Sequence, residues 1–142
     1  MKATRMAGHL IRRLHQKSTQ VFASKLQQEG LDLTPVQFSA MDAIRSVPGL
    51  DQAQIATLIA YDRATIGGVI DRLEKKGLVV RTVSTKDRRA REVRLTEAGN
   101  ELFQKALPVV FNLQNDILDG LDDVSRDVFL KLIETALRED KA

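Results

Sequence analysis

At 142 residues, with 43% hydrophobic and 29% charged side chains, the chain is sized for one globular domain with a real core, and its composition excludes a disordered polypeptide. Cysteine is absent, which excludes disulfides, thiolate catalysis, cysteine–zinc sites and thiol redox sensing. Net charge is only +3, but residues 63–94 hold ten Lys/Arg against four Asp/Glu, a net of +6, leaving −3 for the remainder; a basic middle between acidic helices is the footprint of a nucleic-acid face.

Residues 4–28 read as a helix, with Leu10, Leu14, Val21, Phe22 and Leu26 at helical spacing and Glu29-Gly30 as the stop. The stretch before it is basic but has no apolar core of the kind a secretion signal needs, and no run reaches membrane-spanning length. A cytoplasmic protein with no membrane partner is therefore expected. Thr34-Pro35-Val36-Gln37 combines a capping box with proline at the first helical position, so a second helix starts there and ends at Pro48-Gly49. Asp51, with Gln54 three residues on, caps a short third helix carrying Ile55, Leu58 and Ile59. A turn at Ala60-Tyr61-Asp62 leads to a fourth helix, roughly 63–76, which Gly77 terminates.

The third helix, tight turn and fourth helix have helix-turn-helix spacing. Ile66, Val69, Ile70 and Leu73 fall on one side of the fourth helix and must face the core. The other side carries Ala64, Thr65, Gly68, Asp71, Arg72 and Lys75: small residues first, cations further along. A helix entering a major groove needs this order, because short side chains let it approach base edges while cations reach phosphates. Two glycines inside a helix are costly, about 1 kcal/mol each relative to alanine. Gly67, at the flank of the wheel, reads as close helix packing; Gly68 fits packing or close approach to DNA.

Leu78–Val83 and the alternating Arg91-Glu92-Val93-Arg94-Leu95 form a hairpin with Val93 and Leu95 inward and Arg94 outward. Its tip is a cluster of cations: Lys86, Arg88, Arg89 and Arg91. Such a hairpin, placed directly after a helix, can reach a nucleic-acid backbone or a narrow groove. Thr96 opens a helical pattern that runs nearly to the end, with a kink expected at Pro108 and a break near Gly120-Leu121-Asp122-Asp123. A wing module of some sixty residues cannot absorb all the apolar surface these segments carry. The surplus, shared with the first helix, calls for a partner chain, and a two-fold homodimer is the common solution.

The order of elements resembles the multiple-antibiotic-resistance-regulator (MarR) family of bacterial transcription factors. The matching residues are Asp62-Arg63-Ala64-Thr65-Ile66, then Asp71-Arg72-Leu73-Glu74-Lys75-Lys76-Gly77-Leu78-Val79, then Asp87-Arg88-Arg89 followed by Val93-Arg94-Leu95-Thr96-Glu97-Ala98-Gly99. The resemblance implies a mostly α fold: a winged helix-turn-helix lobe over 34–99 with a two-stranded wing, and a helical dimerisation region from 1–30 and 100–142. It implies a homodimer on pseudo-palindromic duplex DNA, most often a repressor, released when a small phenolic or carboxylated aromatic effector binds between the dimer region and the DNA-binding lobe. The fourth helix would read DNA, with Thr65, Gly68 and Arg72 nearest the bases or flanking phosphates and Arg63, Ala64 and Lys75 beside them. Arg89 would enter the minor groove from the wing tip, with Lys86, Arg88 and Arg91 on phosphates. Asp87 would hold the wing loop in shape by pairing with a neighbouring arginine, although a solvated turn aspartate fits the same position. Thr96 would cap the helix that follows it.

The effector site has a candidate in the first helix, whose segment 8–16 is similar to the branch of the family that answers to aromatic acids. Arg12, His15 and Thr19 share one helical face near His9 and Phe22, offering a cation for a carboxylate and ring surface for its body; a polar interface face fits the same residues. Two histidines six residues apart make a poor chelate, so no metal is expected, nor any cofactor. No phosphate loop, nucleophile motif or carboxylate pair suggests an enzyme. A winged helix used for protein or RNA contact is the remaining alternative. The small-faced fourth helix favours duplex DNA, and aromatics at 4% offer little for stacking on RNA bases.

Overall fold

The computed structural model describes residues 2–84 and 88–138. After a 3-10 turn at Ala3–Arg5 come α1 (Ala7–Gln28), α2 (Pro35–Ser46), α3 (Gln52–Leu58), α4 (Arg63–Lys75), β1 (Val79–Val83), β2 (Arg91–Leu95), α5 (Glu97–Ile117) and α6 (Asp123–Leu137). Local chemistry sets most boundaries. Both expected capping boxes form: the Gln37 N–H donates to Thr34 and the Gln54 N–H to Asp51, while each glutamine side chain accepts from its cap's own N–H. α4 ends in a Schellman turn in which Gly77 takes φ +74°, the Gly77 N–H donates to Glu74 and the Leu78 N–H to Leu73.

One core runs through the molecule. Ile66, Ile70 and Leu73 of α4, Met41 and Ile44 of α2, Ile55 of α3 and the strand residues Val79 and Val93 are buried together. It continues between α1 and α5 through Phe22, Leu26, Phe103, Ala106, Val110 and Leu113. Phe38 of α2 joins the two halves, stacked on Phe103 at 5.1 Å and edge-on to Phe22 at 6.5 Å, with the Arg45 guanidinium 5.2 Å above the Phe103 ring. α5 runs through Pro108 as one helix.

β1 and β2 pair antiparallel, Val79 opposite Leu95 and Val83 opposite Arg91. Alternation places Val93 inward and Arg94 outward, as expected, but Glu92 is also buried. The segment joining α2 to α3 covers that face of the strand. The Val93 N–H donates to the Leu50 carbonyl (2.9 Å), Asp51 bridges to Glu92, and the Glu92 carboxylate lies against Gly49 while accepting from Arg94 at 3.1 Å. The wing thus has a third rung from a loop.

None of the described residues of α6 is buried. Arg126 ties its start to Asn115 and to the Leu121 carbonyl, but Val124 (74% exposed), Leu132 (62%) and Leu137 (75%) stand in the open, as does Phe111 of α5 (73%). The apolar surplus read from the sequence is not absorbed within the chain.

Candidate nucleic-acid interface

α4 presents the face that its periodicity requires. Ile66, Val69, Ile70 and Leu73 are buried, while Arg63, Ala64, Thr65, Gly68, Arg72 and Lys75 are exposed. The two glycines separate. A Cβ at Gly68 would meet nothing within 4 Å, so no intramolecular packing requires that glycine, whereas a Cβ at Gly67 would lie 3.0 Å from the Gln52 side-chain nitrogen. Gly67 is therefore the packing glycine.

Asp62 caps α4, accepting from the Thr65 N–H at 3.2 Å. The Thr65 hydroxyl and N–H hold the Asp62 carboxyl below the ordinary carboxylate value. Thr65 therefore serves the helix start as well as the exposed face.

Arg88 and Arg89 sit in the exposed turn at the end of the hairpin, with Arg91 exposed at the first position of β2. Lys86 and Asp87 lie outside the described residues. A cleft of about 450 Å³ separates this turn from the helix-turn-helix; Arg63, Arg81, Arg89 and Arg91 line it with Asp51 and Gln52. Among the described residues, Arg63, Arg72, Lys75, Arg88 and Arg91 make no ion pair, so their charge faces outward.

Three cations of the basic stretch are paired, Arg94 with Glu92 of its own strand at 3.1 Å and two others across elements. Lys76 pairs with Asp32 at 3.1 Å and donates to its carbonyl at 2.8 Å. Arg81 pairs with Asp71 at 2.7 Å and Glu74 at 3.1 Å. Counting charge along the sequence overstates the open positive face, because pairing across elements is invisible to a count. Sequence reading also missed Gln52 and Glu92 as interface supports; only the packing glycine expected at position 67 hinted at the first.

Thr96 caps α5, accepting from the Gly99 N–H at 3.0 Å and donating its hydroxyl to the Gly77 carbonyl at 2.6 Å. It therefore joins the end of α4 to the start of α5.

On α1, Arg12, His15 and Thr19 are exposed and His9 is half-buried, whereas Phe22 is 5% exposed within the core. In the single chain the Phe22 ring is thus not open to a ligand. The Thr19 hydroxyl donates to the His15 carbonyl at 3.0 Å, the usual fate of a mid-helix threonine. Among the described residues no group of three His, Cys, Asp or Glu side chains could hold a metal, and no helix is long and apolar enough to cross a membrane.

A family model described as MarR family matches residues 31–90. The HTH-type transcriptional repressor NicR of Pseudomonas putida is 31% identical over 140 residues, spanning 97% of this chain and 86% of that protein. Among solved structures, Bordetella bronchiseptica BpsR, studied for regulation of its DNA binding by 6-hydroxynicotinic acid, superposes with a TM-score of 0.89 at 27% identity over 96% of both chains. The transcriptional repressor CouR bound to a 23-mer DNA duplex superposes with a TM-score of 0.87 at 30% identity, also over 96% of both chains. With its open small-faced helix, its arginine-tipped wing and these likenesses over nearly its full length, the chain belongs to the MarR family of transcriptional regulators.

Proposed function

We propose that this chain is a repressor acting in the cytoplasm, which binds pseudo-palindromic duplex DNA as a homodimer and is released by a small aromatic carboxylate or phenol. The observation that carries the DNA reading is the outward face of α4: Ala64, Thr65 and an unpacked Gly68, followed by Arg72 and Lys75. Residues 34–99 act as the DNA-binding lobe. Each subunit sets α4 in a major groove, with half-sites about one helical turn apart. Arg89 reaches the minor groove, while Arg63, Arg88 and Arg91 contact backbone. Segments 1–30 and 100–142 form the dimer, covering the open apolar residues of α6.

The effector reading rests on the exposed Arg12 and His15 of α1, with His9 beside them, and is supported by the regulation of BpsR by an aromatic acid. A ligand that favours one spacing of the two α4 helices over another shifts DNA affinity by its differential affinity for the two dimer states.

Fluorescence anisotropy on a labelled duplex from upstream of the chain's own gene tests both parts. It would be run at two salt concentrations, with and without a panel of hydroxylated aromatic carboxylates. Tight, salt-sensitive binding abolished by one acid, and no longer abolished in Arg12→Ala, is the expected result. Binding no tighter than to a scrambled duplex from every upstream region tried would refute the DNA reading. Tight binding indifferent to all ligands would remove only the effector.

A further inference from the structure

Arg81 belongs by sequence to the basic stretch, yet its side chain is only 18% exposed. Its two terminal nitrogens divide between Asp71 (2.7 Å) and Glu74 (3.1 Å), which lie one turn apart on α4. One of them also donates to the Gln52 side-chain oxygen on α3 at 3.1 Å. With its oxygen held there, the Gln52 amide turns its nitrogen toward α4, where a Cβ at position 67 would crowd it at 3.0 Å. Besides Val79, Arg81 is the side chain of β1 directed at the body of the protein; Val80, Thr82 and Val83 are exposed.

A two-stranded hairpin is marginal by itself, so the wing takes its orientation from whatever fastens it to the helices. A rigid guanidinium fork gripping two carboxylates and an amide is well suited to that task. Its charge, matched by two acids, has little left for a phosphate.

We propose that Arg81 is a positioning residue that fixes the angle between the recognition helix and the wing, acting on DNA through α4 and the wing tip rather than by touching a phosphate. The inference rests on the DNA-binding reading above. It separates two roles that the sequence runs together: cations that meet DNA, and one that holds them in register. Sequence-specific binding needs helix and wing engaged at once, so it depends on the clamp. Non-specific binding, carried by outward charge, does not.

The test begins by selecting a duplex from a random pool with the full-length protein. Binding of the wild type, Arg81→Gln, Arg72→Ala and the double variant Asp71→Asn/Glu74→Gln is then measured on that duplex and a scrambled one across a salt series. Arg81→Gln is expected to lose at least tenfold on the selected duplex and little on the scrambled one. Its slope of log affinity against log salt should match the wild type, whereas Arg72→Ala should lower the slope by about 0.9, the value for one phosphate contact. The double variant removes two negative charges beside the DNA face, which by charge alone tightens binding; the clamp requires weaker binding to the selected duplex. A reduced slope in Arg81→Gln, equal losses on both duplexes, or tighter binding by the double variant would each overturn the proposal. Should Arg81→Gln fail to fold, the double variant decides, because both acids it replaces are largely exposed. Amide hydrogen exchange on the free proteins should show faster exchange across the β1–β2 pairing in Arg81→Gln, and unchanged protection would refute the clamp. That readout needs no DNA, so a pool yielding no enriched sequence would sink the regulator reading while exchange still judged Arg81.

Discussion

At the scale of single residues, Gly99 is the glycine with the least room for a side chain among those described. A Cβ there would lie 2.0 Å from the Leu78 carbonyl oxygen, a backbone atom held in place by its bond from the Thr96 N–H. Gly99→Ala should therefore destabilise the fold by about 3 kcal/mol, the upper end of the usual cost of overpacking because the neighbour is backbone, as read by urea denaturation. Asp62 gives a pH signature. Its pKa is lowered in the folded chain by its bonds from Thr65, so its charged cap stabilises α4 above the unfolded-state pKa of about 3.9 and loses that stabilisation as pH falls through the folded value. Asp62→Asn keeps an acceptor but no titration, so its stability should fall less steeply between about pH 5 and pH 3 than the wild type's. Parallel curves would show that Asp62 contributes nothing to acid sensitivity. Arg89→Ala should weaken specific DNA binding by about 1–3 kcal/mol if that side chain enters a groove, and a loss no larger than that of an average surface lysine would assign it to the backbone.

At the scale of elements, the helix-turn-helix is set by its ends. α3 closes in the same Schellman pattern as α4, with the Tyr61 N–H donating to the Ala56 carbonyl at 2.9 Å, but the residue in the left-handed position is Ala60, φ +59°. A side chain in that region costs roughly 1–2 kcal/mol, partly offset by the greater chain entropy that glycine loses on folding. Ala60→Gly should raise stability by about 0.5–1 kcal/mol with the register of α3 and α4 unchanged. A measured loss would mean that the Ala60 methyl makes a contact outweighing its strain. The wing shows the opposite dependence: its two strands are marginal alone and borrow order from Leu50 and Asp51 against β2 and from Asp71 and Glu74 through Arg81.

Across the whole molecule, the feature that demands explanation is an amphipathic C-terminal helix with nothing to bury against. Val124, Val128, Leu132 and Leu137 of α6, with Phe111 of α5, are all at least half exposed, and clustered open apolar residues of this kind mark interaction surfaces. A homodimer that covers it also fixes the distance between two recognition helices. Leu132→Asp should therefore shift sedimentation toward the monomer and abolish binding to a full operator, while its melting in dilute solution shows a folded lobe. A dimer of unchanged stability would place the interface elsewhere.

The sequence determined the local structure well, because the signals involved are local. Capping boxes at Thr34 and Asp51, the glycine stop at residue 77 and the threonine cap at residue 96 each act within a few residues of themselves. The buried and open faces of α4 follow from period alone, and the arginine-rich turn declares itself by composition. What required the tertiary structure were relations between segments distant along the chain. Arg81 is basic in any count and neutralised in space, since Gln52 approaches it from α3 and both acids from α4. Glu92 alternates as an outward residue and is buried, because a loop more than forty residues earlier lies over it. Phe22 falls on an open face of a helical wheel but lies inside the fold, edge-on to Phe38, which in turn stacks on Phe103. Local propensity acts through bonds a few residues long. Burial and charge pairing are properties of the packed chain, decided only when its elements meet.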